Sequence, residues 1–505
     1  MKFAAVLFPL ISLVVACSPT DNPPPITFTP QVGDTANYWV QIKTNFDVDG
    51  NQAQLSAINL LNYVVEKSSS KTLEFSVVPR YMDLDGKGIY FSSIRPATRR
   101  LPMRDVVVEG FELTVDASRK DPVTLTSKDA QGWQNIAAKG GQQFLAMMTQ
   151  SINIPGFIET IPAQVGANIP LAQIGEHSVE MVVDRVTPTL VILTITGHNQ
   201  QSKLFGKVSI NRNQGWIEQL VLISEAPMEV GRSMATAHTL HRLVKANTLG
   251  NVPFINPNSR IPTRIDWADL PRVPTDMDQL ISPTKEQVFK FNQGQFFEGE
   301  NKLFTSLLLT DDDVQLDGKL VFTDINASSS QIPTLDITLA PTRDSWTQPE
   351  MDGLVTEQQL VPLGFLNQGD IDEIDHITAT ANYYPSKTNS LTLEWQTNQT
   401  MQHQQGDTNL TITPVAGTEN EYLVSYRGNS TDFLLPYVGN VEGQFAYVPT
   451  DIGPDWLTTL DKYLLSLYQT TLRLKVTNSP KNVTVYIQST APESTFSHPV
   501  EWVKY

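Results

Sequence analysis

The stretch FGKVSINRNQGWIEQLVL (residues 205–222) carries the plainest structural signal in this 505-residue chain. Apolar and polar residues alternate on both sides of the polar segment NRNQG (residues 211–215), which has the composition of a turn. A period of two places the apolar side chains on one face of a strand. The stretch therefore predicts an antiparallel hairpin with one buried face.

The same alternation recurs along both halves of the chain. Apolar residues two positions apart are found at Leu73/Phe75/Val77, Leu335/Ile337/Leu339, Leu391/Leu393/Trp395, Tyr422/Val424/Tyr426, Leu472/Leu474/Val476 and Val483/Val485/Ile487. Asp-Gly pairs, which suit tight turns, occur at 49–50, 85–86, 317–318 and 352–353. We predict a mainly β protein of two domains with antiparallel architecture, as a curved sheet, half-barrel or sandwich, and with one or two short helices.

Two segments have helical spacing. Trp456, Leu460, Leu464 and Leu467 recur every three to four residues, so we expect a helix near 455–469, opened by Pro454. The segment 129–148 is a weaker candidate, because its glycines each cost about 1 kcal/mol relative to alanine in a helix.

The charge distribution divides the chain. Residues 18–250 hold 20 basic and 21 acidic side chains, whereas residues 251–505 hold 15 and 32. Six prolines fall between residues 251 and 284. We therefore predict a near-neutral β-rich domain over 31–250, a proline-rich linker over 251–284 and an acidic β-rich domain over 285–505. The formal net charge of −17 excludes a general nucleic-acid binder, which needs a basic face.

The amino terminus has the layout of a secretory signal, predicted over residues 1–16. Lys2 is followed by an apolar run from Phe3 to Val15, which is shorter than the roughly 20 residues of a membrane-spanning helix. Cys17, two residues after the end of this run, is the only cysteine of the chain. An ordinary signal peptide with a chance cysteine remains the alternative.

Val14-Val15-Ala16-Cys17 resembles the lipobox of bacterial lipoproteins. The resemblance implies cleavage before Cys17 and attachment of acyl chains to it, with Ser18 directing the protein to the outer membrane of a bacterial envelope. Several acyl chains hold a protein on a membrane far more firmly than one. Residues 17–30 are rich in proline and are expected to form a stiff tether.

The first half also resembles a group of uncharacterised β-rich bacterial envelope lipoproteins. The resemblance rests on Gly33-Asp34-Thr35 with Tyr38 and Trp39, on residues 162–166 (PAQVG), and on Gly206 and Gly215-Trp216 in the hairpin. It implies a curved antiparallel sheet that wraps partly around a helix or an apolar groove. It implies a fold and no activity.

Motifs for catalysis are missing from the sequence. There is no Gly-x-Ser-x-Gly elbow, P-loop, Gly-x-Gly-x-x-Gly or His-Glu-x-x-His, and the sole thiol is expected to be acylated. We therefore predict a protein that is not an enzyme and binds no cofactor.

Three acidic clusters are weak candidates for a metal site. Residues 45–51 (NFDVDGN) resemble the opening of a calcium loop, but a hairpin turn explains them better. Hard oxygen ligands are also grouped at Asp311, Asp312, Asp313 and Asp317, and at Asp370 and Asp372 with His376. In a strand, Asp370, Asp372 and His376 would share one face. A solvated loop and a charged strand edge are the favoured interpretations.

His238 and His241 are the only closely spaced histidines. On a helix they would share one side and could bind a metal, but their surroundings favour a strand, in which their rings point to opposite faces.

Three functions remain open. The favoured one is a lipid-anchored periplasmic or outer-membrane binding or assembly protein, with the membrane and an envelope protein or lipid as partners. The second is a carrier that holds a lipid or acyl chain in a half-barrel groove. The third is an envelope hydrolase that uses paired carboxylates in the 370–376 cluster.

Overall fold

A computed structural model describes two long parts of the chain, residues 24–246 and 284–505. Outside the described residues within these parts are 49–50, 70, 87–88, 94–100, 117–122, 153, 158–159, 175–176, 200–201, 231–232, 300–301, 311–318, 332–334, 336–337, 342–345, 349–353, 364–371, 407, 430–431 and 492. The predicted signal peptide, Cys17 and nearly all of the predicted linker also lie outside them.

The described residues of the first half form one antiparallel sheet and three helices. Its elements are β1 (Thr35–Val48), β2 (Asn51–Ser68), β3 (Thr72–Gly86), β4 (Ile89–Ser92), α1 (Leu101–Glu109), β5 (Phe111–Asp116), β6 (Val123–Ser127), α2 (Ala130–Ala138), α3 (Gln142–Ser151), β7 (Asn168–Ile174), β8 (His177–Val186), β9 (Leu190–His198), β10 (Lys203–Asn211), β11 (Ile217–Val230) and β12 (Ser233–Lys245). The strand order is β6-β5-β3-β2-β1-β12-β11-β10-β9-β8-β7, with β4 paired to β3. This is a curled half-barrel sheet, called the curled sheet below.

The hairpin of residues 205–222 forms as predicted, from β10 and β11. The Asn211 side chain accepts hydrogen bonds from the backbone N–H groups of Asn213 and Gln214, which closes the turn. Gly215 has a φ of +76° and lies so close to the backbone of Phe28 that a Cβ would approach its Cα to 2.7 Å. The turn chemistry and the close approach together require glycine at this position.

The inner face of the curled sheet encloses the largest apolar core, called the inner core below. All three helices contribute to it, including Val106 of α1, Ile136 of α2 and Phe144 of α3. The predicted helical segment 129–148 is present but divided, because Gly140, at a φ of +82°, interrupts it between α2 and α3. The expectation of a curved sheet around a helix is therefore confirmed.

The described residues of the second half form three sheets. Its elements are α4 (Lys285–Val288), β13 (Gln293–Gly299), β14 (Lys302–Thr310), β15 (Lys319–Ser328), β16 (Thr338–Pro341), β17 (Trp346–Gln348), β18 (Leu354–Leu363), β19 (His376–Tyr384), β20 (Ser386–Glu394), β21 (Met401–Gln405), β22 (Thr408–Pro414), β23 (Glu421–Arg427), β24 (Asp432–Gly439), β25 (Gly443–Tyr447), α5 (Thr459–Leu465), β26 (Gln469–Val476), β27 (Asn482–Thr490) and β28 (Phe496–Lys504). The sheet orders are β14-β13-β28-β19-β15-β16-β18-β17, β20-β27-β24 and β21-β22-β23-β26-β25.

Pairing in the second half is antiparallel except between β13 and β28, which run parallel. The two smaller sheets share one apolar core, with Leu410, Val424 and Leu472 among its fully buried members. The first of these sheets, β14-β13-β28-β19-β15-β16-β18-β17, is called the large sheet below. It has a separate core around Trp502 and Tyr383. The predicted acidic domain thus holds two cores.

The outer face of the curled sheet packs against the second half at two places. Trp39, Leu60 and Tyr81 join the core of the large sheet. Further along, Phe205 and Leu240 pack against leucines of α5 and its flanks. We call this second contact the α5 joint.

Helix α5 is shorter than the predicted 455–469, and it is the fifth helix among the described residues, where the sequence predicted one or two. It begins at a capping box in which Thr458 and Asp461 exchange hydrogen bonds between side chain and backbone, and Pro454 lies in the turn before it. No helix among the described residues is long and apolar enough to cross a membrane.

Candidate functional site

The predicted anchor, Cys17, lies outside the described residues, but the residues that follow it are informative. Ile26, assigned by sequence to the tether, is 3% exposed and pairs with Ile161 through two backbone hydrogen bonds of 2.8 Å. Phe28 packs edge-on against Trp216, with ring centroids 5.0 Å apart. The second part of the predicted tether is therefore part of the folded first half.

The acidic clusters do not assemble a metal site in the described part of the chain. Asp311, Asp312, Asp313, Asp317 and Asp370 lie outside it, and no group of three or more metal-ligating side chains is found within it. Residues 45–48 and 51 lie at the ends of β1 and β2, which pair antiparallel down to Val48 and Asn51, in line with the favoured hairpin; residues 49–50 lie outside the described part.

Of the described residues 372–376, only His376 lies in a strand, at the start of β19. Asp372 and Glu373 are exposed in a turn, so Asp372 and His376 do not share a strand face. The Asp375 carboxylate accepts a 2.6 Å hydrogen bond from the Ser330 N–H, which lowers its pKa. His376 lies 3.2 Å from Glu501 of β28. These groups stabilise a turn and a strand pairing.

The two histidines lie on β12 and point to opposite faces, as a strand requires. The His241 ring is on the inner face, across from Ile42 and Leu222, where desolvation lowers its pKa to about 4. The His238 ring is on the outer face, with Nε2 3.1 Å from Asp461 of α5. The hydrogen bond to Asp461 raises the pKa of His238 against the opposing effect of burial.

The interior of the first half decides between a hollow and a filled half-barrel. Aromatic rings occupy it: Phe75 packs against Phe28 and Tyr63, and Phe91 of β4 meets Phe144 of α3 at 5.2 Å. Helix α3 contacts β1 and β2 and packs its side chains into the inner core. In its described part, the inner face is lined by buried side chains of the chain itself.

A buried amide also lies in this interior. Asn59 of β2 is fully buried on the inner face between Val40 and Met82. Neither its carboxamide oxygen nor its nitrogen finds a hydrogen-bond partner among the described residues. The sequence contains the signal, since Ala57, Asn59 and Leu61 follow a period of two and place an amide on an apolar face.

A groove of about 420 Å³ lies between β3 and α1. Its walls mix apolar side chains with Arg80, Arg104, Asp105 and Glu109. This mixed lining is unlike the continuous apolar surface that an acyl chain needs.

Comparisons with known proteins give no family. No family model and no curated protein matches the chain. A lipovitellin structure described by its lipid–protein interactions aligns over 43% of this chain and 25% of its own, at 11% identity and a TM-score of 0.28. OmpF of Salmonella typhi in complex with daunomycin aligns over 90% of this chain and 98% of its own, at 7% identity and a TM-score of 0.14. OccAB3 of Acinetobacter baumannii aligns over 90% of this chain and 99% of its own, at 9% identity and a TM-score of 0.12.

TM-scores this low carry no argument about fold or function. The match to lipovitellin also spans only a quarter of that protein's length. Functional inference therefore rests on the residues of this chain.

Proposed function

We propose that the chain is an envelope lipoprotein, anchored through acyl chains on Cys17, that serves as a non-catalytic binding or assembly module. The anchor is supported by the apolar run that ends in Val14-Val15-Ala16-Cys17 and by the absence of any second cysteine. Because Ile26 is already buried in the inner core, few residues separate Cys17 from the folded part. The first half would then lie close to the membrane.

The observation that carries the binding role is the filling of both faces of the curled sheet. Its inner face is occupied by α2, α3 and aromatic rings, and its outer face meets the second half at two places. A protein packed in this way binds partners at its exposed surface and not in a groove of the half-barrel. The second half carries nearly all of the net negative charge, which favours partners with a basic surface.

Mild crosslinking of whole cells tests the proposal. We expect purification of a tagged chain to enrich defined envelope proteins, and added salt to release the uncrosslinked complexes, because salt screens exposed charges. The Cys17→Ser variant is the matched control and should lose those partners that depend on the membrane address. Recovery of the same background proteins as from a tag-only strain would contradict the binding role.

A second candidate, a carrier of acyl lipids, is favoured by Asn59 alone. A buried amide without partners costs about 1–3 kcal/mol, and a ligand carbonyl or hydroxyl reaching the inner face would satisfy it. The ligand would be neutral, since an ionised carboxylate is far more costly to bury than an ester. Entry requires α3 to move away from β1 and β2.

A fluorescent monoacylglycerol tests this candidate on the full mature chain. The carrier predicts saturable binding that Asn59→Leu abolishes. Asn62→Leu is the matched control, since Asn62 is on the outer face of the same strand and is hydrogen-bonded to Asn37. Absence of saturable binding by the parent chain would eliminate the carrier.

The hydrolase alternative gains no support from the described residues, because Asp375, His376 and Glu501 are held in structural pairings.

A further inference from the structure

The α5 joint combines an apolar contact with a small group of charges. Leu464 and Leu465 of α5 pack with Phe205 and Leu240 on the outer face of the curled sheet. Beside this contact, the side chain of His238 is 20% exposed and that of Asp461 only 4%. A carboxylate so nearly buried requires strong partners.

Asp461 obtains these partners from both sides of the joint. Its Oδ2 accepts hydrogen bonds from the backbone N–H and the hydroxyl of Thr458, both at 2.7 Å, within its own helix cap. Across the joint, the same oxygen lies 3.1 Å from Nε2 of His238. The histidine is therefore the one titratable side chain shown to contact this carboxylate in the described structure.

The other ring nitrogen of His238 also faces a carboxylate. Nδ1 lies 3.7 Å from Oε1 of Glu225 on β11, and Glu225 is in turn paired with Lys203 of β10 at 3.1 Å. A neutral imidazole has one N–H, whereas the protonated ring has two and can donate toward both carboxylates. The arrangement is therefore matched to the charged ring.

The remaining neighbours are an aromatic ring and more distant charges. The Trp456 indole meets the His238 ring edge-on at 6.5 Å and lies under Lys203 Nζ at 5.6 Å. On β1, uncharged Asn45 is directly opposite His238, and Lys43 and Asp47, of opposite charge, are two positions away on the same face.

We propose that His238 is a proton-dependent latch that holds α5 and its flanking segment against the curled sheet. The protonated ring donates toward both Asp461 of the second half and Glu225 of the first. Loss of the proton leaves the ring with one N–H, which can donate to only one of the two carboxylates. The apolar contact remains, so the change is a local loosening of the joint.

The direction of the pH dependence follows from the surroundings of the ring. Because Asp461 and Glu225 raise the pKa of His238 above the ordinary 6.5, the docked state binds the proton more tightly than the undocked state. The latch is therefore fully closed below about pH 6.5 and opens as the pH rises through the raised pKa. His241 titrates at lower pH, so it does not contribute in the alkaline range.

Hydrogen exchange of the α5 amides tests the latch on the full mature chain. After correction for the intrinsic effect of pH, we expect their protection to fall about tenfold between roughly pH 6 and 9, as for loss of a hydrogen bond to a charged group. His238→Gln keeps a donor but not the titration, and should give a flat profile. His376→Gln, in the pair with Glu501, is the matched control and should leave the α5 profile unchanged.

Glu225→Gln supplies an independent arm if His238→Gln fails to fold. Removing one carboxylate should move the loss of protection to lower pH. A flat profile in the parent chain overturns the latch, and so does a parent-like profile in His238→Gln or an unshifted transition in Glu225→Gln.

Discussion

The two faces of the curled sheet are covered in different ways. The inner face is covered by helices of the same half and is mostly apolar, with Asn59 and His241 among the polar exceptions. The outer face is covered by segments more than 200 residues away in sequence, through the large sheet and the α5 joint. Polar pairs accompany the outer contact, such as Ser209 with Tyr468 at 3.0 Å.

This difference separates the interactions that stabilise the fold from those that position the two halves. Apolar burial supplies most of the free energy of folding but has no preferred direction. Hydrogen-bonded and charged pairs add little net stability, yet their geometry fixes which surfaces meet and in which register. The inner face thus holds the first half together, whereas the outer face positions the second half upon it.

The largest expected difference between the faces is in large-to-small substitutions. Phe75→Ala on the inner face should lower the free energy of unfolding by about 3–5 kcal/mol, because Phe75 is 1% exposed among aromatic rings. Phe205→Ala on the outer face should cost about 2 kcal/mol or less, since the joint can loosen locally. Urea denaturation of both variants measures the comparison, and an equal or reversed order would contradict it.

The next effect distinguishes the two histidines of β12. The unfolded chain protonates at His241 near pH 6.5, whereas the folded chain does so only at about 4. The free energy of unfolding should therefore fall by up to about 3 kcal/mol as the pH drops through this window. Urea denaturation at several pH values should show a shallower acid loss in His241→Leu than in the parent. Identical slopes would show that the ring is not desolvated.

The smallest effect compares the two asparagines of β2. Asn59→Leu should raise the free energy of unfolding by about 1–3 kcal/mol, because it removes an unpaired buried amide. Asn62→Leu should lower it by about 1 kcal/mol, through loss of the 2.9 Å hydrogen bond to Asn37. Thermal denaturation of both variants measures the difference, and destabilisation by Asn59→Leu would mean that water satisfies the amide.

The sequence was sufficient for the fold class and for the orientation of strand side chains. Alternation around NRNQG predicted the β10–β11 hairpin, and the three-residue spacing of His238 and His241 predicted opposite faces. A period of two in the sequence indicates which face of a strand a side chain occupies, because the local backbone geometry makes successive side chains alternate.

The same alternation does not predict which other part of the chain packs against that face. The parallel pairing of β13 with β28 joins strands some 200 residues apart, and the buried partner of His238 lies 223 residues away. Such pairings are set by the packing of whole elements. Helix α1 was missed, since three consecutive valines occupy the end of LPMRDVVVE (residues 101–109), and β-branched residues do not favour a helix.

The central claim is that acyl chains on Cys17 fasten this folded chain to an envelope membrane. Fractionation of cells that produce the parent chain or Cys17→Ser tests it most directly. We predict that the parent sediments with the membranes and that the variant is found in the soluble fraction. A processed Cys17→Ser chain that sediments with the membranes just as the parent does would contradict the account.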